Sequence, residues 1–207
     1  MNTIEVKQGS PEWLALRAGK ITASRLADVM SVIKSGEAAS RKDYRAQIAV
    51  ETLTGLPMES GFCSAEMAWG VVNEKFARAA YEVATDQFVD QVGFALHPLI
   101  ERAGASPDGL VGVDGLLEIK CPKSSTHLDY IVANEVPEKY KLQMLWQMDC
   151  CTRQWCDFVS FDPRMPEHLQ LFVKRFEIDN ERIAKMREEV KKFLAEVDEL
   201  IAKLPHE

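Results

Sequence analysis

The sequence lacks any long apolar run. No stretch of its 207 residues approaches the roughly 20 consecutive apolar residues that a membrane-spanning helix needs. The opening residues, MNTIEVKQGS, also lack the apolar core of a signal peptide. We therefore expect a cytoplasmic protein with no membrane partner.

Cysteine is scarce, and its spacing is irregular. The five cysteines are an odd number and show no CxxC spacing, so a disulfide framework is not expected. A zinc site made from Cys150, Cys151, Cys156 and a distant histidine would match no common ligand spacing. Reduced thiols are expected at Cys63, Cys121, Cys150, Cys151 and Cys156. Buried packing is the favoured interpretation for the last three.

Positive charge is in deficit. Lysine and arginine number 25 against 32 aspartates and glutamates, which gives a net charge of −7. Such a balance disfavours phosphate binding by the surface as a whole. The charge is regional, however, because residues 1–50 hold eight basic and five acidic side chains, whereas residues 177–207 hold six and nine. The C-terminal region can therefore face away from nucleic acid.

The remaining composition is that of an ordinary globular protein, with 46% hydrophobic and 28% charged residues. The length fits one domain over residues 1–207. Apolar periodicity and capping residues predict an α/β fold, in which helices flank a short central mixed sheet. Helices are predicted after caps at Ser10 and Ser24 and at 44–53, 64–84 and 138–151, with an amphipathic helix at about 180–204. Strands are predicted at 87–96, at two places within 104–122, and at 155–161 and 171–176.

The candidate catalytic residues lie on or near the strand that contains Glu118 and Lys120. Glu118 and Lys120 are one residue apart on an apolar strand, so their side chains project from the same face. The connection from Asp108 is short enough to bring this residue back beside Glu118. Two carboxylates and a lysine suit phosphodiester hydrolysis with Mg²⁺, because carboxylates bind the ion while the lysine positions water or stabilises charge. A hairpin with a surface salt bridge is the simpler alternative.

These residues also resemble a known motif. Ser106-Pro107-Asp108-Gly109 followed by Glu118-Ile119-Lys120 is similar to the PD-(D/E)xK motif of nucleases with a restriction endonuclease-like core. Over residues 7–176 the chain resembles the family of phage lambda exonuclease and YqaJ-type viral recombinases. The neighbouring segments in matching order are Trp13, Arg17, residues 21–24, residues 68–70 with Glu74, residues 121–122 and residues 162–165.

That resemblance implies a 5′-to-3′ exonuclease acting in a bacterial host. It would degrade one strand of linear duplex DNA to mononucleotides and leave a 3′ overhang for recombination. A ring-shaped homotrimer and a phage single-strand annealing protein as partner are also implied. Residues 31–42 and 126–137 show no match, so their roles are unassigned; the basic residues of 31–42 either contact DNA or lie on a solvated loop.

The resemblance further assigns roles to the site residues. Asp108, Glu118 and the main-chain carbonyl of Ile119 would be metal ligands, and Glu74 would add a carboxylate to a second ion or its waters. The ions would be Mg²⁺, with Mn²⁺ as the alternative. Lys120 would orient the attacking water. For Glu74 the alternative is a solvated helix carboxylate next to Lys75, and the functional role is favoured over it.

A 5′-phosphate pocket is implied by Arg17, Ser24 and Ser106. A guanidinium fork and hydroxyls near main-chain donors are the groups that phosphate recognition uses. Gln143 matches a family glutamine that binds water or phosphate near the metals. Without the resemblance, a capping serine, an arginine paired with a nearby acid and an exposed glutamine are the simpler interpretations.

Three other functions compete with the exonuclease. An endonuclease or branched-DNA nuclease would use the same metal site. A non-catalytic DNA-binding module would keep the fold without the chemistry, although Asp108, Glu118 and Lys120 are intact. An enzyme acting on small phosphate esters is disfavoured because the chain has no glycine-rich phosphate loop.

Overall fold

Helices and strands are interspersed along the chain. The computed structural model describes residues 2–58 and 64–205, so Cys63 lies outside the described residues. Its helices are α1 Pro11–Arg17, α2 Leu26–Val29, α3 Ala39–Thr54, α4 Ala65–Thr85, α5 Ser124–Ala133, α6 Glu138–Cys151 and α7 Asn180–Ala202. Its strands are β1 Asn2–Ile4, β2 Ile21–Thr22, β3 Val89–Asp90, β4 Phe94–Leu96, β5 Ala103–Ala105, β6 Gly109–Val111, β7 Gly115–Lys120, β8 Trp155–Phe161 and β9 Leu171–Glu177.

The strands form two mixed sheets. The larger sheet has the order β3-β6-β7-β8-β9, with β7 and β8 parallel and the other pairs antiparallel. The smaller sheet has the order β1-β4-β5-β2, with β2 and β5 parallel. The predicted α/β class with mixed sheet and flanking helices is confirmed, although the strands divide between two sheets.

Strand β7 lies at the centre of the larger sheet and is covered on both faces. Leu116 packs in the cluster that contains α6, whereas Leu117 packs in the cluster that contains Ala77 and Tyr81 of α4. Helices α5 and α6 form the crossover that joins β7 to the parallel strand β8, as a parallel pair requires. Side chains of α6 therefore lie over the face of β7.

The prediction of one strand over residues 87–96 is wrong. Strand β3 pairs with β6 in the larger sheet, whereas β4 pairs with β1 and β5 in the smaller one. The chain passes between the sheets near Gly93, where a Cβ atom would lie 2.5 Å from the carbonyl oxygen of Val6. Alternating hydrophobicity indicates extended chain but does not say which strand it pairs with.

The predicted loop at residues 31–42 ends early, because α3 begins at Ala39 rather than at residue 44. The Arg41 and Arg45 guanidinium groups both lie against the Glu196 carboxylate of α7, at 2.6 and 3.1 Å. Both also pair with Glu37. Part of the N-terminal positive charge is thus neutralised inside the protein instead of facing DNA.

Helix α7 begins and ends close to the predicted bounds of 180–204. The Asp179 side chain caps it by accepting the Arg182 N–H at 2.9 Å. Its buried face, as predicted from spacing, is Ile183, Met186, Val190, Phe193 and Val197, joined by Leu194. Helix α5 lies in the segment that sequence reasoning left unassigned. Within residues 2–58 and 64–205 no helix has the length and apolarity to cross a membrane.

Candidate active site

The two carboxylates of the motif converge as predicted. In the β6–β7 pair Gly109 lies opposite Leu117, which brings the preceding residue, Asp108, beside Glu118. The Asp108 main-chain N–H donates to the Leu117 carbonyl at 3.2 Å. Its Oδ2 accepts the Ile119 N–H at 2.6 Å. These bonds fix the aspartate at the end of the strand pair.

Glu118 is almost completely buried, with 1% of its surface exposed. Its Oε1 accepts from Gln143 Nε2 at 2.7 Å, and its Oε2 accepts from Gln147 Nε2 at 2.6 Å. It also forms an ion pair with Lys120. A buried carboxylate needs such partners, and α6 supplies the amides because it crosses the face of β7.

Lys120 is charged and held in place. Its Nζ lies beside Glu118 and 5.2 Å from the centroid of the Tyr140 ring. Burial alone would lower the pKa of Lys120, but the carboxylates of Glu118 and Asp108 outweigh burial and raise it above its ordinary value. The lysine is therefore a positioned cation rather than a proton acceptor.

Negative charge accumulates around Asp108. Burial, and after it the nearby charge of Glu118, raises the pKa of Asp108 well above its ordinary value, and Glu74 adds to the effect. Lys120 acts in the opposite direction. The site is thus richer in carboxylate than its single lysine can neutralise, as expected where a cation binds.

Helix α4 places Glu74 in a cavity that Asp108 and Lys120 also line. This cavity has a volume of about 330 Å³ and is lined by Glu74, Asp108, Ile119 and Lys120, among others. Glu74 pairs with Arg78 one turn further along the helix. Arg78 also donates to the Asp108 main-chain carbonyl at 3.4 Å. The carboxylates of Glu74 and Asp108 thus face one space.

The donor set fits Mg²⁺ in kind. Carboxylate and carbonyl oxygens are its preferred protein ligands. Glu74, Asp108 and Ile119 supply such oxygens around the cavity, and Glu118 lies buried behind it, paired with Lys120. Across the described ranges 2–58 and 64–205, no three His, Cys, Asp or Glu side chains are grouped closely enough to hold a metal. The carboxylates instead meet lysine, amide and guanidinium partners, so metal binding requires these side chains to turn.

The proposed phosphate-binding residues also meet. Arg17, Ser24 and Ser106 line a second cavity of about 180 Å³ together with Gln143, the amide that bonds Glu118. The Arg17 guanidinium lies 3.9 Å above the Trp13 ring. The Trp13 indole N–H donates to the Ser106 hydroxyl at 2.8 Å. This cavity therefore adjoins the carboxylates through Gln143.

Ser24 does not cap a helix, so that part of the prediction is wrong. It lies inside the 3₁₀ turn Ala23–Arg25, and Arg25 is the residue that precedes α2. Its hydroxyl is instead 3.4 Å from that of Thr22. The turn replaces the predicted helix start because Ala23, fully packed in the core, draws the backbone inwards.

Sequence reasoning missed several residues of the site. Gln147 has the same partner as Gln143 and lies four residues later, on the same face of α6, which is a spacing that could have revealed it. Arg78 and Tyr140 gave no comparable signal. Their positions depend on how α4 and α6 pack on the sheet.

The cysteines predicted to pack in the core do so where they are described. Cys150, Cys151 and Cys156 are at most 1% exposed and belong to the main hydrophobic cluster. Cys121 is half-buried beside Lys120. The thiols of α6 and β8 therefore serve packing, and the zinc alternative has no supporting geometry among the described residues.

Comparison with known proteins gives consistent matches. Residues 12–154 match the family model of the YqaJ-like viral recombinase domain. The structure of LHK-Exo in complex with dAMP is 46% identical, with a TM-score of 0.86 over 93% of this chain and 95% of that chain. The structure of LHK-Exo, an alkaline exonuclease from Laribacter hongkongensis, gives 45% and 0.85 over the same shares.

A phage-related exonuclease from Haemophilus somnus 129PT is 17% identical, with a TM-score of 0.69 over 90% of this chain and 96% of that chain. At that identity the match shows a shared fold. Comparison with curated sequences gives no match. Together with the site, the likeness to an alkaline exonuclease at over 40% identity supports a nuclease role.

Proposed function

Because the chain belongs to the YqaJ-like viral recombinase family, we propose that it is a 5′-to-3′ exonuclease that degrades one strand of linear duplex DNA. It starts from a 5′-phosphorylated end, releases mononucleotides and leaves a 3′ overhang for phage-type recombination. The observation that carries this proposal is the cavity of Arg17, Ser24 and Ser106, which shares Gln143 with the carboxylate site. A terminal phosphate in that cavity leaves the next phosphate within reach of Asp108 and Glu118.

The metal requirement follows from the ligand set. Asp108, Glu118 and the Ile119 carbonyl would hold one Mg²⁺, and Glu74 would complete a second position, with Mn²⁺ able to replace it. When bound, these ions supply Lewis acidity towards the scissile phosphate. Burial and the nearby charge of Glu118 raise the pKa of Asp108, so a divalent cation would stabilise its ionised form.

The other polar residues orient the reactants. Lys120, kept protonated by Glu118 and Asp108, donates hydrogen bonds to the attacking water or to the oxygen that gains charge. Gln143 reaches the Glu118 carboxylate while lining the phosphate cavity. It therefore fixes the distance between the terminal phosphate and the scissile bond. Release of mononucleotides requires that this separation match one nucleotide.

A ring-shaped homotrimer is supported by one surface of α4. Val72, Phe76 and Val83 are 59%, 52% and 86% exposed and form a stripe opposite the buried residues Ala77 and Tyr81. Exposed apolar surfaces of this kind often mark the site where a partner protein binds. We further propose action in the cytoplasm of a bacterial host, where a phage single-strand annealing protein coats the 3′ overhang.

The test is digestion of a linear duplex labelled separately at its two 5′ ends. We expect the 5′ label to appear as mononucleotide, faster from a 5′-phosphate than from a 5′-hydroxyl, and not in excess EDTA. Asp108→Asn should lower the rate at least a thousandfold, since it removes a ligand at the centre of the site. Arg17→Gln should mainly remove the preference for phosphate, with Lys34→Gln as the exposed control.

The alternatives predict other outcomes of the same assay. An endonuclease or branched-DNA nuclease would cut closed circular duplex or a four-way junction as fast as a linear end. A non-catalytic DNA-binding module would shift the duplex in a gel and leave both labels in place with or without metal. Either result would overturn the exonuclease proposal while leaving the fold intact.

A further inference from the structure

A groove of about 430 Å³ adjoins the catalytic cavity on the side away from Arg17. It shares Glu66, Cys121, Pro122 and Tyr140 with the catalytic cavity, whereas Gln143 and Ser106 belong to the cavity of Arg17. The three cavities thus follow one another, with the carboxylates in the middle. The groove is mainly lined by aromatic and basic side chains, namely Trp69, Tyr130, Tyr140, Lys123, Lys139 and Arg164.

Arg164 is fixed in the wall of this groove. Its Nε and Nη2 donate to the fully buried carboxylate of Asp162 at 2.7 and 3.0 Å, and Nη2 also donates to the Pro122 carbonyl at 3.2 Å. Its guanidinium lies 4.4 Å above the Trp69 ring. Among the described residues Nη1 makes no hydrogen bond, and 48% of the side chain is exposed. The arginine therefore offers donors in a fixed direction at no further cost in side-chain entropy.

Two lysines add positive charge. Lys139 Nζ lies 4.8 Å from the Tyr140 ring centroid and 5.7 Å from that of Tyr130, and it forms no ion pair among the described residues. Lys123 pairs with Glu66 at 3.3 Å, with both side chains more than half exposed. An exposed pair of this kind is weak, so the groove retains a net positive charge beside an aromatic surface.

Tyr140 connects the groove to the chemistry. The same ring that contacts Lys139 on the groove side lies 5.2 Å from Lys120 Nζ. A strand whose scissile phosphate sits at Lys120 therefore meets Lys139 and Arg164 next along its backbone. A phosphate chain with attached bases matches a groove that combines fixed cations with aromatic walls.

We propose that this groove binds the strand being degraded on the 3′ side of the scissile phosphate, with Arg164 and Lys139 contacting its next two phosphates. The direction follows from the order of the cavities, because the 5′-terminal phosphate occupies the Arg17 end. The inference rests on the proposed exonuclease function and extends it. It assigns Arg164 and Lys139 to substrate binding, and Asp162 and Trp69 to positioning Arg164.

The experiment uses single-turnover release of the first mononucleotide from 5′-phosphorylated duplexes. Each duplex carries one neutral methylphosphonate at the second, third or eighth internucleotide position from the 5′ end. The wild-type protein should lose about tenfold in rate at subsaturating enzyme with the second or third position and little with the eighth, since one charge-assisted contact is lost. Arg164→Gln and Lys139→Ala should lose a similar factor on unmodified duplex.

The decisive result is the combination of variant and substrate. If Lys139 contacts one of these phosphates, the methylphosphonate that slows the wild-type protein should not slow Lys139→Ala any further. Its salt dependence should also weaken by about one phosphate contact. Lys141→Ala is the matched control, because Lys141 lies on the same helix, pairs with Glu138 and does not line the groove.

The outcomes separate this inference from the function on which it rests. Failure of the wild-type protein to release mononucleotide from unmodified duplex overturns the exonuclease itself. Normal release with Arg164→Gln and Lys139→Ala no slower than Lys141→Ala overturns the groove alone. Lys139→Ala is the safer variant, because Arg164→Gln withdraws the charge that balances a buried carboxylate.

Discussion

Two glutamines of α6 hold the same carboxylate but differ in burial. Both border the cavity of Arg17, but Gln147 is fully buried there, whereas Gln143 is only half-buried. Each donates one hydrogen bond to Glu118. Their substitution should therefore separate the stability of the site from its activity.

We expect Gln147→Leu to lower the free energy of unfolding by about 1–3 kcal/mol, because Glu118 Oε2 loses a donor where water cannot replace it. Gln143→Leu should cost less than about 1 kcal/mol but lower kcat/KM by about tenfold. Urea denaturation and mononucleotide release measure the two effects. Equal losses of stability would show that burial does not distinguish the two amides.

Asp162 makes the stability of the fold depend on pH under acidic conditions. Burial alone would raise the pKa of Asp162, but hydrogen bonds from Arg164 and Ser124 outweigh burial and lower it to about 2. In the unfolded chain the pKa is about 3.9. The folded state thus binds this proton more weakly, so the carboxylate stabilises the fold above about pH 4 and this contribution disappears as the pH falls towards 2.

Asp162→Asn should accordingly destabilise the protein at pH 7 and have progressively less effect between pH 4 and pH 2. Urea denaturation of both proteins across that range is the measurement. Asp198→Asn is a suitable control, because Asp198 is largely exposed in its ion pair with Arg102. A stability difference that stays constant down to pH 2 would contradict the assignment.

Helices α3 and α7 are joined by a four-residue ion cluster. Arg41 and Arg45 each contact both Glu37 and Glu196, and the Arg41 side chain is only 11% exposed. The Tyr44 and Phe193 rings pack below the cluster with centroids 5.7 Å apart. The charges thus cover an aromatic contact between the two helices.

Glu196→Gln should lower the free energy of unfolding by about 1–2 kcal/mol, since two partly buried guanidinium groups lose one of their two carboxylates. The loss should shrink in 0.5 M NaCl, where exposed charges are screened. Thermal denaturation at the two salt concentrations tests this, with the exposed Glu199→Gln on the same helix as control. A loss independent of salt would indicate disrupted packing instead of lost charge pairing.

At the level of elements, the sequence predicted those parts that follow from local pattern. The helix over Glu138–Cys151 and the strands Trp155–Phe161 and Leu171–Glu177 have the predicted or nearly predicted bounds. Asp108 and Glu118 meet because a short connection leaves few alternatives. Residues 87–96 divide between two sheets because they pair with strands that are distant in the sequence, so a local pattern could not predict this division.

Charged side chains were harder to place than apolar ones. The sequence shows that Arg41 and Arg45 are basic, but their neutralisation by Glu196 depends on α7 packing against α3. Ser24 has the composition of a cap, yet burial of Ala23 favours a 3₁₀ turn. Helix α5, Ser124–Ala133, was missed because it is rich in residues of low helix propensity, including serine, threonine, histidine, isoleucine and valine.

The whole molecule presents its charges and its apolar surface on different elements. Helix α7 carries much of the acid, and the stripe of Val72, Phe76 and Val83 lies on α4. If this stripe joins the subunits of the proposed trimer, Phe76→Glu should shift the protein towards monomer, because a charge cannot be buried unpaired in an apolar contact. Sedimentation velocity measures the change.

The matched control for that change is Val113→Glu. Val113 is 84% exposed in the connection between β6 and β7 and has no apolar stripe around it. It should leave the assembly unaltered, and far-ultraviolet circular dichroism should show both variants folded. Dissociation by both variants, or by neither, would argue against α4 as the contact between subunits.

Because β7 pairs in parallel with β8, the active site depends on segments of the chain that are synthesised after its carboxylates. A ribosome that has reached residue 120 has already delivered Asp108, Glu118 and Lys120. The amides that hold Glu118 are still more than twenty residues away, and the strand that borders β7 is later still. The growing chain therefore contains the candidate catalytic residues before it can fold them into an active site. A fragment of the chain that ends before Gln143 should therefore lack nuclease activity, since nothing in it holds Glu118 from the side of α6.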